Sequence, residues 1–311
     1  MSGKYQHVAV LLGGLSAERE VSLATGRACA DSLESEGYNV TRIDVGADVA
    51  EQLEKTEPDV CFNALHGRWG EDGCVQGLLE TMQIPYTHSG VLASAIAMHK
   101  EHAKLVFAKA GVPVAQSKIV TRAEAAKSHV MEPPYVLKPV AEGSSVGIFI
   151  VREDHEYPPQ ELTSSDWALG DEIMAERFIP GKELTCAVMG DTALGVIDIL
   201  PAEGLGFYDY EAKYAPGGSK HVLPAQISPN VYHLIQKLAL KAHNALGCRG
   251  VSRADFRFDE NSDGNDRLVC LEVNTQPGMT ETSLVPELAA HAGWTFGELM
   301  RWMVEDASCN R

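Results

Sequence analysis

Asp255, Glu272 and Asn274 could do chemistry together, because their types suit a hard divalent cation. In residues 251–258, VSRADFRF, period-two alternation predicts a strand. Val251, Arg253, Asp255 and Arg257 share one face, and Ser252, Ala254, Phe256 and Phe258 the other. In residues 268–274, LVCLEVN, the same period sets Val269, Leu271 and Val273 against Cys270, Glu272 and Asn274. Between the runs lie Asn, Ser, Asp and Gly, which make turns. The expectation is a hairpin with one apolar face and one face bearing Arg253, Asp255, Glu272 and Asn274. Two carboxylates and an amide oxygen are donors that Mg²⁺ takes. The same residues also fit a half-solvated hairpin with ordinary surface charges. The loop NTQPGMT, which follows at once, weighs toward a ligand site.

Cations and hydroxyls that could meet phosphates lie upstream. Lys138 ends the apolar run PPYVLKPV, and the tip EGSSVG, residues 142–147, follows it. Such a tip can lay N–H groups and hydroxyls over phosphates, or be only a flexible loop. Lys100 and Lys213 add further charge. Glu18 and His66 each stand just past the end of a predicted strand, where open α/β sheets place ligands. A helix-capping carboxylate and a structural histidine are the alternatives. Gly13–Gly14 starts no G-x-G-x-x-G, and the chain has no Walker A loop, so a nicotinamide dehydrogenase or P-loop ATPase is disfavoured.

The elements that must position these residues fall into two styles. HVAVLLGG, YNVTRIDV and PDVCFNAL alternate with helical segments, a βαβ pattern with a parallel sheet. Ser16 is placed to cap the first helix. A junction is expected at residues 87–91. Residues 91–111 then read as one helix ending at Gly111. After it, strands predominate: VPVAQSKIV, PPYVLKPV, GIFIV, and EIMAERF turning at Pro180–Gly181 into ELTCAVMG, which pairs with ALGVIDIL. Residues 202–222 have few aliphatic side chains, three tyrosines and Lys213, and loops of that length are usually functional. An amphipathic helix, VYHLIQKLALKAHNALGC, leads into the hairpin, and GWTFGELMRWMVED forms another helix near the end.

Composition narrows the partners. The 311 residues are 45% hydrophobic, enough for two or three domains. The formal charge of −17 supplies no basic stripe for nucleic acid. No apolar run reaches the roughly 18 residues that span a membrane, and residues 1–20 lack the apolar core of a secretory signal. The seven cysteines include no CxxC pair and sit mostly in apolar runs, so reduced thiols in a cytoplasmic protein are expected and a zinc site is not.

In order, GGLSAEREVSL, HGRWGEDG, HSGVLASAIAMHK, VLKPVAEGSSVG, FYDYEAKY, GVSRADF, LEVNTQPGMT and Ser283–Leu284 cover nearly the whole chain. This series resembles the D-alanine–D-alanine ligases of the ATP-grasp superfamily. The resemblance implies an α/β and α+β protein with a three-domain ATP-grasp fold and an N-terminal parallel-sheet domain. Its divisions would be 1–90 with the first D-alanine site, 91–178 with the serine loop, and 179–311 with the metal and second D-alanine sites. The implied reaction transfers a phosphoryl group from ATP to one D-alanine. A second D-alanine then attacks the acyl phosphate, giving D-alanyl-D-alanine for peptidoglycan. D-Lactate or D-serine as the acceptor is the neighbouring alternative, and a silent binding module with the same fold a more distant one.

The resemblance also implies roles. ATP would meet Lys100, Lys138, Ser144, Lys213, the adenine hinge Glu176, Arg177 and Phe178, and Glu183 on its ribose. Two Mg²⁺, for which Mn²⁺ can stand in, would use Asp255, Glu272 and Asn274. Glu18 and His66 match the first substrate site, and Ser283 and Leu284 the second. Arg253 and the Gly278 N–H match oxyanion stabilisers, and Glu18, Ser144 and Tyr214 a closing hydrogen-bond triad. A homodimer is the family's common state. Trp69 and Gln276 depart from the expected pattern and match no family role.

Overall fold

The computed structural model describes residues 4–143, 146–201, 218–264, 267–280 and 283–310. Ser144, Lys213 and Tyr214 lie outside them. Near the N-terminus β1 (His7–Leu12), β2 (Asn39–Asp44) and β3 (Val60–Asn63) form a parallel sheet in the order β2-β1-β3. β1 is buried on both faces, as its unbroken apolar run requires. Helix α1 (Arg19–Ser35) covers one face with Cys29, Ala30 and Leu33; α2 (Val49–Thr56) and α3 (Cys74–Met82) cover the other with Leu53, Val75 and Leu79. Ser16 does not cap α1. Glu18 holds that position, and the Ser16 hydroxyl donates instead to His66 O at 2.6 Å.

Residues 91–111 form two helices rather than the single one their periodicity predicts. α4 (Val91–Met98) and α5 (Lys100–Ala110) break at His99, with φ −94° and ψ 100°. The His99 side chain caps α5, accepting from His102 N. Lys100 N donates to Val140 O at 2.9 Å, which ties the start of α5 to the glycine- and serine-rich turn. As expected, α5 ends at Gly111 in the left-handed region, φ +72°.

Two antiparallel sheets follow. β4 (Ser117–Thr121), β5 (Tyr135–Pro139), β6 (Phe149–Val151) and β7 (Glu172–Arg177) run in the order β4-β7-β5-β6, with α6 (Arg122–Lys127) beside them. The second contains β8 (Lys182–Met189), β9 (Thr192–Pro201), β10 (Ser219–Val222), β11 (Val251–Phe258) and β12 (Leu268–Asn274), in the order β10-β9-β8-β11-β12. α7 (Pro229–Leu246) packs Ile235, Leu238, Ala239 and Ala242 under this sheet, together with Phe107 of α5 and Ala97 of α4. α8 (Leu284–His291) and α9 (Phe296–Asp306) complete a core that joins this sheet to the parallel one: Val285 and Leu299 share a cluster with Val8 and Leu33. Among the described residues no helix is long and apolar enough to cross a membrane.

The β11–β12 hairpin departs from strict alternation. Asp255 pairs with Glu272, but Phe256 pairs with Cys270, so Leu271 is an extra residue in a β-bulge. Glu272 and Leu271 then both line the cleft, and Cys270 turns to the opposite face, into the cluster of Ala254, Phe256 and Val273. The expected grouping of Cys270 with Glu272 is therefore corrected. The bulge lets a carboxylate face solvent while its neighbours keep a dry core.

Inside that core a buried polar pair joins α7 to β11. His243 on α7 places Nδ1 2.7 Å from Ser252 Oγ on β11. Burial pulls its pKa down to about 4, outweighing nearby Asp191 and Asp306. The unfolded chain takes up this proton near the ordinary histidine value, about 6.5, so acid favours unfolding between the two values. From about pH 7 to about pH 4, His243 should cost the wild type roughly 3 kcal/mol that a His243→Gln variant does not lose. Urea unfolding of both proteins across that range checks this; parallel pH profiles would refute it.

Candidate active site between the two antiparallel sheets

An open cleft of about 910 Å³ lies between the four-stranded and five-stranded sheets. One wall is Lys138, Ile150, Glu176 and Arg177; the other is Glu183, Asp255, Arg257, Leu271 and Glu272, with Lys100 at one end. Eight of the expected site residues thus meet in one cavity: Lys100, Lys138, Glu176, Arg177, Phe178, Glu183, Asp255 and Glu272.

The cationic wall is centred on a residue expected only as part of the adenine hinge. Glu176, buried on β7, accepts from Lys138 Nζ at 2.6 Å and also from Lys104 Nζ on α5. Burial pushes the Glu176 carboxyl up, but Lys138 and Lys104 outweigh it and hold the group below its usual range. For Lys104, burial wins over Glu176 and lowers its pKa. A buried carboxylate without these ammoniums would be costly by several kcal/mol. Glu176 therefore fixes two lysines, and Lys138 is held at the cleft by a bond it can exchange. Lys100 donates to Glu142 O, at the start of the glycine- and serine-rich turn.

The anionic wall is set by register. Asp255 and Glu272 are direct cross-strand partners. Arg253 grips Asp255 with Nε at 2.9 Å and Nη2 at 2.7 Å, and Thr185 Oγ1 donates to Asp255 Oδ1 at 2.6 Å. Asn274 is the cross-strand partner of Arg253, and its Oδ1 accepts from Gln276 N at 2.8 Å. Among the described residues no three His, Cys, Asp or Glu side chains form a metal cage. The expected set has only two carboxylates with an amide oxygen. A cation completed by ligand phosphates needs no more from the protein, so the set fits Mg²⁺. Cys270, behind this wall, is made inert by burial, which raises its pKa with help from Asp255 and Glu272.

Arg257 joins the two walls and had no predicted role. Its Nε donates to Ile179 O at 3.0 Å, Nη2 to Gly181 O at 2.9 Å and Nη1 to Glu183 Oε2 at 3.3 Å. The guanidinium also lies 5.7 Å from the Phe178 ring centroid, a cation–π distance. One side chain thereby fixes the turn between β7 and β8. Its alternation on β11 was legible in the sequence, but its long-range partners were not.

A second group of expected residues gathers beyond the cleft. Glu18 Oε1 presses against the backbone of two loops: a Cβ on Gly67 would come within 2.8 Å of it, and one on Gly143 within 3.0 Å. The N-terminal sheet thus reaches the serine-bearing turn through a carboxylate. His66 is buried between Thr25 Oγ1 at 3.0 Å and Glu71 Oε1 at 3.2 Å. Gly278 adjoins Ser283, whose Oγ would lie 3.1 Å from a Cβ there. Leu284 begins α8 and buries its side chain in the core, leaving its backbone as the part suited to a ligand. Trp69 takes the left-handed φ of +73°, strained for a bulky residue, with the Arg68 guanidinium 4.7 Å from its ring.

Family models match both the N-terminal and the C-terminal part of the chain. Residues 106–305 match the family model described as D-ala D-ala ligase C-terminus, and residues 46–89 the one described as D-ala D-ala ligase N-terminus. A D-alanine–D-alanine ligase of Rhizobium meliloti is 64% identical over 311 residues, covering 100% of both chains. One of Xanthobacter autotrophicus is 66% identical over 306 residues, covering 98% of this chain and 99% of its own. Among solved structures, a D-alanine–D-alanine ligase of Bacillus anthracis superposes with a TM-score of 0.79 at 31% identity, covering 97% of both chains. Its complex with ATP gives 0.77 at 27%, again covering 97% of both. By sequence over its full length and by fold, the chain belongs to the D-alanine–D-alanine ligase family.

Proposed function

We propose that this chain joins two D-alanines into D-alanyl-D-alanine at the expense of ATP, for peptidoglycan synthesis. The observation that carries the reading is the cleft in which Lys100 and Lys138 face Asp255 and Glu272. Phosphoryl transfer between anions is mostly positioning and charge neutralisation, and this cleft offers both.

In this reading the adenine lies at Glu176, Arg177 and Phe178, its ribose against Glu183, and its phosphates toward Lys100 and Lys138. Asp255, Glu272 and Asn274 would hold two Mg²⁺. Bound there, Mg²⁺ supplies positive charge against the phosphate oxygens. Glu18, with His66 behind it, binds the ammonium of the first D-alanine and aims its carboxylate at the γ-phosphoryl group. The carboxylate takes that group, ADP leaves, and an acyl phosphate remains. The amine of the second D-alanine attacks the acyl carbon, and phosphate departs. Arg253 and the Gly278 N–H meet the oxyanion, each such donor contributing about 3 kcal/mol in the transition state. Ser283 and the Leu284 N–H, at the start of α8, receive the second carboxylate. Ser144, Lys213 and Tyr214 close the site in this proposal, which keeps water from the acyl phosphate. A homodimer, and a division into domains near residues 90 and 178, belong to the same proposal.

Phosphate release from ATP should require both D-alanine and Mg²⁺, with dipeptide formed in step. Glu272→Gln should lower kcat roughly a hundredfold while the protein stays folded, since a charged ligand is lost. Unaltered turnover in that variant would remove the metal assignment. Arg257→Leu should raise KM for ATP roughly tenfold with less change in kcat, because three hydrogen bonds fixing the nucleotide turn disappear. ATP titration kinetics check this, and an unchanged KM would show that the turn holds itself.

A further inference from the structure

Gln276 lies in the loop between the metal-facing strand β12 and Gly278, yet it touches neither the cleft nor solvent: it is 1% exposed. Its partners belong to the parallel-sheet layer. Gln276 Oε1 accepts from Asn63 Nδ2 at 3.1 Å, and Gln276 Nε2 donates to Asn63 O. The same Nε2 stands 3.3 Å from His88 Nδ1. Asn63 N donates to Thr87 Oγ1 at 3.0 Å, and that hydroxyl lies 3.0 Å from His88 Nδ1. His88 Nδ1 has a single lone pair, which the Thr87 hydroxyl and one Gln276 N–H share, while the other Gln276 N–H meets Asn63 O.

Both ends of this pair lead to substrate-facing loops. Asn63 ends β3, and its Nδ2 also donates to Gly70 O at 3.0 Å, where Gln76 Nε2 donates at 2.9 Å. Gly70 lies in the loop that carries His66 and Glu71, beside Glu18. At the other end, Gln276 N orients Asn274 Oδ1, and Gly278 is two residues on. One buried amide therefore ties the loop of the first substrate to the loop of the metal and the oxyanion.

We infer that Gln276 is a positioning residue that fixes the spacing between the first-substrate loop and the loop bearing Asn274 and Gly278. Its task is coupling: it keeps the acyl carbon where the second amine, and not water, reaches it. The inference rests on the ligase reading above. Without the tie the acyl phosphate still forms, but water can attack the acyl carbon. The acyl–oxygen bond then breaks, and D-alanine and phosphate leave with no dipeptide made.

The test measures phosphate and dipeptide together in wild type, Gln276→Met and Gln276→Asn. Met keeps the volume and loses all three side-chain bonds; Asn keeps the amide but falls short of Asn63. Wild type should give one dipeptide per phosphate. In Gln276→Met the phosphate-to-dipeptide ratio should rise roughly threefold or more, with dipeptide turnover down roughly tenfold and KM for ATP within about twofold of wild type. Gln276→Asn should fall between. Mere loss of folded protein lowers both products equally and leaves the ratio at one, so that result in a soluble variant overturns the inference. If Gln276→Met does not fold, the ratio in Gln276→Asn decides alone. A wild type that releases phosphate with D-alanine but makes no dipeptide overturns the ligase reading itself.

Discussion

Asp255 and Glu272 oppose each other across two antiparallel strands, and like charges in that register repel. The chain keeps them there only by surrounding them with compensation. Arg253 takes both oxygens of Asp255, and Thr185 adds a hydroxyl. The bulge at Leu271 turns Glu272 outward while Cys270 and Phe256 stay in the core. A strict ladder through this stretch would set Cys270 beside Glu272 and leave Leu271 on the dry side. The site is therefore an arrangement that is unfavourable without cations, made affordable by one register shift and one arginine.

The opposite wall solves the inverse problem. Lys104 and Lys138 would repel in a buried space, and Glu176 between them removes the repulsion. Such triads contribute little net stability, since desolvation cancels much of the attraction. What they confer is position. Lys138 sits at the cleft with its charge compensated, so an incoming phosphate competes with a carboxylate rather than with bulk water. Arg257 plays the comparable part for the turn between β7 and β8, holding two carbonyls there and, on the neighbouring strand of its own sheet, Glu183. The chain carries a net charge of −17, and Lys100, Lys138 and Arg257 bring positive charge to the cleft locally.

Much of this was legible in residue order. Alternation in VSRADFRF identified β11 and its polar face, and the βαβ rhythm identified the parallel sheet. The failures have common physical causes. The break at His99 is not legible because alanine-rich sequence on both sides keeps a helical period, and only Val140 O, forty residues away, claims the Lys100 N–H. The bulge escaped because a one-residue shift leaves composition unchanged. Lys104, Arg257 and Gln276 were invisible as functional residues because each acts through partners distant in the chain. Glu176 was placed in the cleft by resemblance, but its role as a shared counterion required the fold.

Trp69 and Gln276, the two departures from the family pattern, differ in kind. Trp69 is half exposed on a left-handed backbone, and its contact with Arg68 is local, so its consequences stay within one loop. Gln276 is buried at the seam of two layers, where a polar side chain persists only if its hydrogen bonds are met. Those bonds run to a main-chain oxygen and a side-chain amide of the same residue, Asn63, so small relative movements of the layers break them together. An apolar residue would tolerate sliding, because dispersion contacts are not directional. A buried amide pair does not, which makes directionality rather than strength the reason a glutamine suits this position.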